Sequence, residues 1–173
     1  TYLQTLFSFF NAPLFGVFAF GDPARARWRA LGALGVGALG ATVFFAWSLR
    51  WPGEPRMILA HLGVAARIGQ LDLVLALALD PLGALASAAV ALVAARLVWT
   101  QRKPRRIGLL CALASAMQLV VLADGAATLA LAFGVASLLG AVLGYVHSAH
   151  FVADRVGDVA LVGAAGVLFW ALD

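Results

Sequence analysis

Residues 80–100 read DPLGALASAAVALVAARLVWT, and this stretch decides the fold class. Asp80 and Pro81 suit a helix start, because a carboxylate can accept from an early backbone N–H and proline lacks the N–H that would be orphaned there. The run that follows, Leu82 to Thr100, is apolar over nearly its whole length. A hydrocarbon core about 30 Å thick needs about 20 helical residues at about 1.5 Å each, so the run is long enough to span. Working outward, comparable runs fall at residues 3–20, 30–48, 107–122, 126–145 and 156–172. Asn11 and Pro13 interrupt the first, and proline there predicts a kink. The last begins near Asp154 and is barely long enough. The expected fold is an all-α integral membrane protein, one membrane domain over residues 1–173 with about six transmembrane helices.

Composition agrees with that reading. Of 173 residues, 64% are hydrophobic and 12% charged, against about 45–50% and about 25% for soluble domains. Mean hydropathy is +0.98. The net charge of +4 comes from basic residues parcelled into short connections, which argues against a nucleic-acid partner. Cys111 is the single cysteine, so neither an internal disulfide nor a cysteine-based metal site is expected. Glycine and alanine crowd the second, fifth and sixth runs, where small side chains let helices approach closely in lipid.

Residues 50–79 separate the second and third runs. Trp51-Pro52-Gly53-Glu54-Pro55 marks a turn, and His61, Arg67 and Asp72 interrupt the apolar residues after it. The segment reads as an extracytoplasmic loop with short strands or a β-hairpin. A helix over Leu73 to Leu79 stays open, because so short a run does not settle its period.

Basic residues set the orientation. Arg25, Arg27 and Arg29 lie in the first connection, Arg102, Lys103, Arg105 and Arg106 in the third, and Arg155 in the fifth. The second carries Arg50, Arg56 and Arg67 over a longer stretch, and the fourth, around Asp124, carries none. Lys and Arg gather on the cytoplasmic side, so the odd connections are expected there and both chain ends outside, in a bacterial-type inner membrane. The first run lacks a basic n-region, which argues against a cleaved signal peptide.

A charge inside a span costs about 2.5–3.5 kcal/mol at the helix centre on insertion scales, so each one is a candidate for function. Arg155 and Asp158 are three residues apart at the start of the sixth run, on one helical face, where an ion pair softens that cost. They read either as an interfacial anchor or as part of an ion path. His147, His150 and Asp154 share one helical face and form a weaker proton-relay candidate. Asp80 reads as a helix cap, and Asp124-Gly125 as a turn. No nucleophile and base pair, phosphate loop or dinucleotide fingerprint stands out, so no catalytic residue, metal or cofactor is expected in this chain.

Taken in order, several segments resemble the N-terminal part of subunit L of bacterial NADH:quinone oxidoreductase, one of the antiporter-like subunits of respiratory complex I. The most telling is His150-Phe151-Val152-Ala153-Asp154-Arg155-Val156-Gly157-Asp158-Val159, which looks like that family's R-V-G-D segment at the start of the sixth helix. Pro13-Leu14-Phe15-Gly16, Leu79-Asp80-Pro81-Leu82 and Val121-Leu122-Ala123-Asp124 match more loosely, in the same order. The resemblance covers nearly all of this chain and about the first third of a typical family member. It implies a non-redox membrane subunit, or a fragment of one, that packs beside sister membrane subunits in the bilayer and contributes to proton transport.

One departure limits what carries over. The family's fifth helix bears a glutamate in a W-E-G-x-G-like context, and its place here is taken by Phe133, followed by Gly134-Val135-Ala136. The family's later lysines and histidines have no counterpart within residues 1–173. Arg155 and Asp158 alone correspond, which implies either a piece of a longer subunit or a shortened relative with a structural role. The same resemblance extends to multisubunit cation/proton antiporters and inorganic-carbon uptake complexes, and a membrane scaffold without transport is a third reading.

Overall fold

The computed structural model describes residues 23–50, 57–68 and 71–144. They form helix α1 (Pro23–Arg50), strands β1 (Ile58–Ile68) and β2 (Leu71–Leu79), and helices α2 (Pro81–Thr100), α3 (Pro104–Leu122) and α4 (Ala126–Gly144). Helices α1, α2 and α3 are each long and apolar enough to cross a membrane, while the apolar stretch of α4 assigned in this way, Thr128–Leu143, is shorter. The membrane-helical class is thus seen, with a small sheet added. The described residues hold four helices, not six; the runs expected at 3–20 and 156–172 lie outside them.

Two boundaries differ from the sequence reading. The second run was expected from residue 30, but α1 starts at Pro23 and takes in Arg25, Arg27 and Arg29. Arginine is a good helix former, and the apolar run marks only the length that suits lipid. The helix itself spans about 42 Å, longer than the bilayer core. Likewise α3 starts at Pro104 and not at 107, with Lys103 as an extended residue before it.

Asp80 behaves as expected. Its backbone is extended, its side chain accepts from the Gly83 N–H at 2.6 Å, and Pro81 occupies the first turn. Gly83 is required by close approach: a Cβ there would lie 2.6 Å from the Asp80 carboxylate and 3.6 Å from Leu122 Cδ2. Gly125, at φ +109°, makes the turn between α3 and α4 in a conformation that L side chains rarely adopt.

The β-hairpin expected as one reading of residues 50–79 is present, with long strands. α1 runs through Arg50, and β1 and β2, of 11 and 9 residues, pair antiparallel from Ile58↔Leu79 to Ile68↔Leu71. The register shifts between His61 and Gly63 and between Val64 and Ala66. Leucine at positions 71, 73, 75, 77 and 79 gives β2 a period of two, which fits a strand and excludes the helical alternative for Leu73 to Leu79. Leu77 and Leu79 are buried.

The helices stack in chain order, α1 on α2, α2 on α3 and α3 on α4, with α1 also touching α3. Buried positions on α1 are Ala26, Ala30, Leu34, Gly37, Ala41, Phe44 and Ser48. Their spacing of three and four residues is that of the seam between helices that cross at a shallow angle. Two apolar clusters fill the bundle. Ala30 and Leu34 meet Ala94, Val98, Ile107, Cys111 and Ala114. Ala41 and Phe44 meet Leu77, Leu79, Ala84, Ala88 and Leu122. The start of α1 therefore lies beside the end of α2 and the start of α3, and the hairpin sits at the opposite end.

Candidate functional site

Between the two apolar clusters the bundle holds neutral polar groups. Ser87 on α2 and Ser115 and Gln118 on α3 are buried, Ser87 and Gln118 completely. Ser115 and Gln118 are three residues apart and share one face of α3. Gln118 Nε2 donates to the Ser87 carbonyl oxygen at 3.4 Å, a long bond. Gln118 Oε1, Ser87 Oγ and Ser115 Oγ have no partner among the described residues. A buried amide or hydroxyl left without a bond costs about 1–3 kcal/mol, so this is the least comfortable part of the interior. These groups accept and donate hydrogen bonds without changing charge near neutral pH. They can bridge helices or hold a polar guest, but cannot carry a proton by titrating.

The two ends differ chemically. At one end gather Arg25, Arg27 and Arg29 of α1, Arg96 near the end of α2, and Arg102, Lys103, Arg105 and Arg106 around the α2–α3 connection. Arg27 Nη2 donates to the Gln101 carbonyl oxygen at 2.8 Å, which ties the start of α1 to that connection. Trp28 and Trp99 meet edge-on there, with ring centroids 5.9 Å apart. At the other end Ala76 N–H donates to Thr128 Oγ1 at 3.0 Å, and Asp124 N–H donates to the Ala76 carbonyl oxygen at 3.0 Å. Leu77 also bridges to Ala123, so β2 is stitched to the turn and first residues of α4.

Most of the residues singled out from the sequence are not among those described. His147, His150, Asp154, Arg155 and Asp158 lie outside the described residues, as do Asn11 and Pro13. Phe133 is half-buried in α4. Among the described residues no three His, Cys, Asp or Glu side chains come close enough to hold a metal ion. Charge does not single out Ser87, Ser115 and Gln118, which are neutral. The signal was present, since Gln118 stands alone as a polar amide in the run from 107 to 122. No protein-family model matches the chain, and no curated protein matches it.

Proposed function

We propose that this chain is a non-redox membrane subunit, or part of one, of a complex I-like proton-translocating NADH:quinone oxidoreductase, and that its work is to pack beside sister subunits. The resemblance through Leu79-Asp80-Pro81-Leu82, Val121-Leu122-Ala123-Asp124 and the R-V-G-D segment supports this reading. The observation that carries it is the outer face of the bundle. Leu39, Val43 and Trp47 on α1, and Leu85, Leu92 and Val93 on α2, are all exposed. So broad an apolar surface needs lipid or neighbouring membrane helices to cover it.

Trp28 and Trp47, both exposed, mark the bilayer on α1. They are 19 positions apart, about 28 Å along a helix, close to the hydrocarbon thickness whose two interfaces tryptophan favours. The basic end then lies at the cytoplasmic surface and the hairpin outside. Impermeant thiol reagents applied from outside, on a Cys111→Ala background, are expected to label His61→Cys and spare Lys103→Cys. The reverse pattern overturns the orientation.

Proton movement through the complex uses groups beyond this bundle. The described buried polar interior offers Ser87, Ser115 and Gln118, which do not titrate near neutral pH. Arg155 and Asp158 are the ion-path candidates within the chain, with His147, His150 and Asp154 behind them. Mass spectrometry of the chains that copurify from the native membrane tests the assignment. Quinone-reducing and hydrogen-carrier partners are expected. Copurification of cation/proton antiporter subunits or inorganic-carbon uptake proteins alone would replace it with the corresponding machine, and no partner at all would leave neither.

A further inference from the structure

At the basic end, a pocket of about 290 Å³ opens between the start of α3 and the end of α4. Lys103, Arg105, Arg106 and Leu109 from the start of α3 and Val142 and Leu143 from the end of α4 line it. The three cations are exposed, and the acids among the described residues, Asp72, Asp80 and Asp124, all belong to the hairpin end. No described carboxylate is therefore placed to neutralise them. The α3 N-terminus adds its own partial positive charge, with Arg106 N–H and Ile107 N–H turned back to the Lys103 carbonyl oxygen at 3.0 and 3.2 Å. The pocket thus combines three cations with three apolar side chains.

We propose that this pocket binds an acidic glycerophospholipid, its phosphate held by Lys103, Arg105 and Arg106 and the first methylenes of an acyl chain lying on Leu109, Val142 and Leu143. Charge complementarity selects the phosphate. Arginine offers paired N–H donors that match two phosphate oxygens, and lysine adds a point charge. The apolar wall distinguishes a lipid from free phosphate, because an inorganic anion would leave Leu109, Val142 and Leu143 facing water. Basic pockets between transmembrane helices on the cytoplasmic side are suited to such headgroups. The inference requires only that the bundle sit in a bilayer and is independent of which complex the chain joins.

The test uses the full chain in nanodiscs of phosphatidylcholine containing a minor share of phosphatidylglycerol, with retained lipid counted by native mass spectrometry after release into detergent. Wild-type protein is expected to retain phosphatidylglycerol over phosphatidylcholine. Replacing Lys103, Arg105 and Arg106 together by Ala should lower that retention roughly a hundredfold, from about fivefold per cation at a membrane surface. Replacing Arg25, Arg29 and Arg96 by Ala removes the same charge from the same end and should change retention by less than about threefold. Equal losses in the two triple variants would show diffuse surface attraction and overturn the site. Arg105→Lys with Arg106→Lys keeps the charge and should retain most of the binding; circular dichroism checks that every variant keeps its helices. In a second arm, millimolar inorganic phosphate is added to the protein carrying its retained phosphatidylglycerol. Displacement of phosphatidylglycerol by phosphate at comparable concentration would make the pocket a free-anion site and overturn the lipid assignment.

Discussion

The two ends of this bundle are held together by different physics. At the hairpin end, Leu77 and Leu79 of β2 fill the space among α1, α2 and α3, and directed bonds fix the arrangement: the Asp80 cap, the Ala76 to Thr128 bond and the Asp124 to Ala76 bond. At the basic end the core is all helix, built from Ala30, Leu34, Ala94, Val98, Ile107, Cys111 and Ala114. One long-range hydrogen bond there, from Arg27 to Gln101, joins separate elements, and a group of cations remains without described acids beside it. The difference teaches that one end is fixed by directed bonds within the chain, whereas the other presents exposed cations with no described acid beside them.

The largest expected effect tests whether the hairpin belongs to the core. Leu77→Ala and Leu34→Ala each truncate a buried leucine, one at either end, and each should cost about 2–5 kcal/mol in reversible unfolding from mixed micelles. A cost below about 0.5 kcal/mol for Leu77→Ala alone would break the comparison, because β2 would then be a mere appendage. Next in size is Thr128→Val, which keeps the shape and removes the acceptor of the buried Ala76 N–H. A destabilisation of about 1–3 kcal/mol is expected, with faster amide exchange at Ala76. Unchanged exchange at that amide would show that the stitch between β2 and α4 carries no stability.

Asp80→Ala should cost about 0.5–2 kcal/mol through loss of the α2 cap. Gly83→Ala is also expected to destabilise, since its new methyl would meet the Asp80 carboxylate. The double variant should lose less than the sum of the two, as the collision needs both residues. Strict additivity would show that Gly83 matters for Leu122 and not for the cap. The smallest effect is expected among the buried neutral polar groups. Gln118→Leu removes the partnerless Oε1 together with a long hydrogen bond, so stability should change by less than about 1 kcal/mol in either direction. A loss above about 2 kcal/mol would mean that Gln118 is fully bonded in the membrane, by water or by another chain, and would make it a third region as specific as the hairpin end.

Much of this structure is legible along the chain because its causes are local. A run of apolar residues long enough for a bilayer, a carboxylate and proline at residues 80–81, and Asp124-Gly125 after a helix each act over a few neighbours. The helices from 82, 107 and 126 were accordingly anticipated to within three residues of their starts. The 28-residue length of α1 was not, because hydropathy reports which part suits lipid and is silent on how far a helix continues past the interface. The buried polar interior is less legible along the chain. Arg155, Asp158 and the histidines stood out by charge, yet the polar interior that the structure brings together consists of Ser87, Ser115 and Gln118, three neutral residues from two helices.

By itself the sequence determined the membrane-helical class, the capped start of α2, the glycine turn at 125 and the connections that carry basic charge, all consequences of residue chemistry read over one or two turns. Tertiary structure alone decided that β2 docks on the α3–α4 turn, that the basic residues of α1, α2 and α3 gather at one end, and that a cationic pocket forms between α3 and α4. Those features depend on helix rotation and register across segments up to tens of residues apart. In a chain apolar on nearly every face, the hydrophobic pattern cannot say which face turns inward; small residues, a few directed hydrogen bonds and the fit of side chains at close approach make that choice.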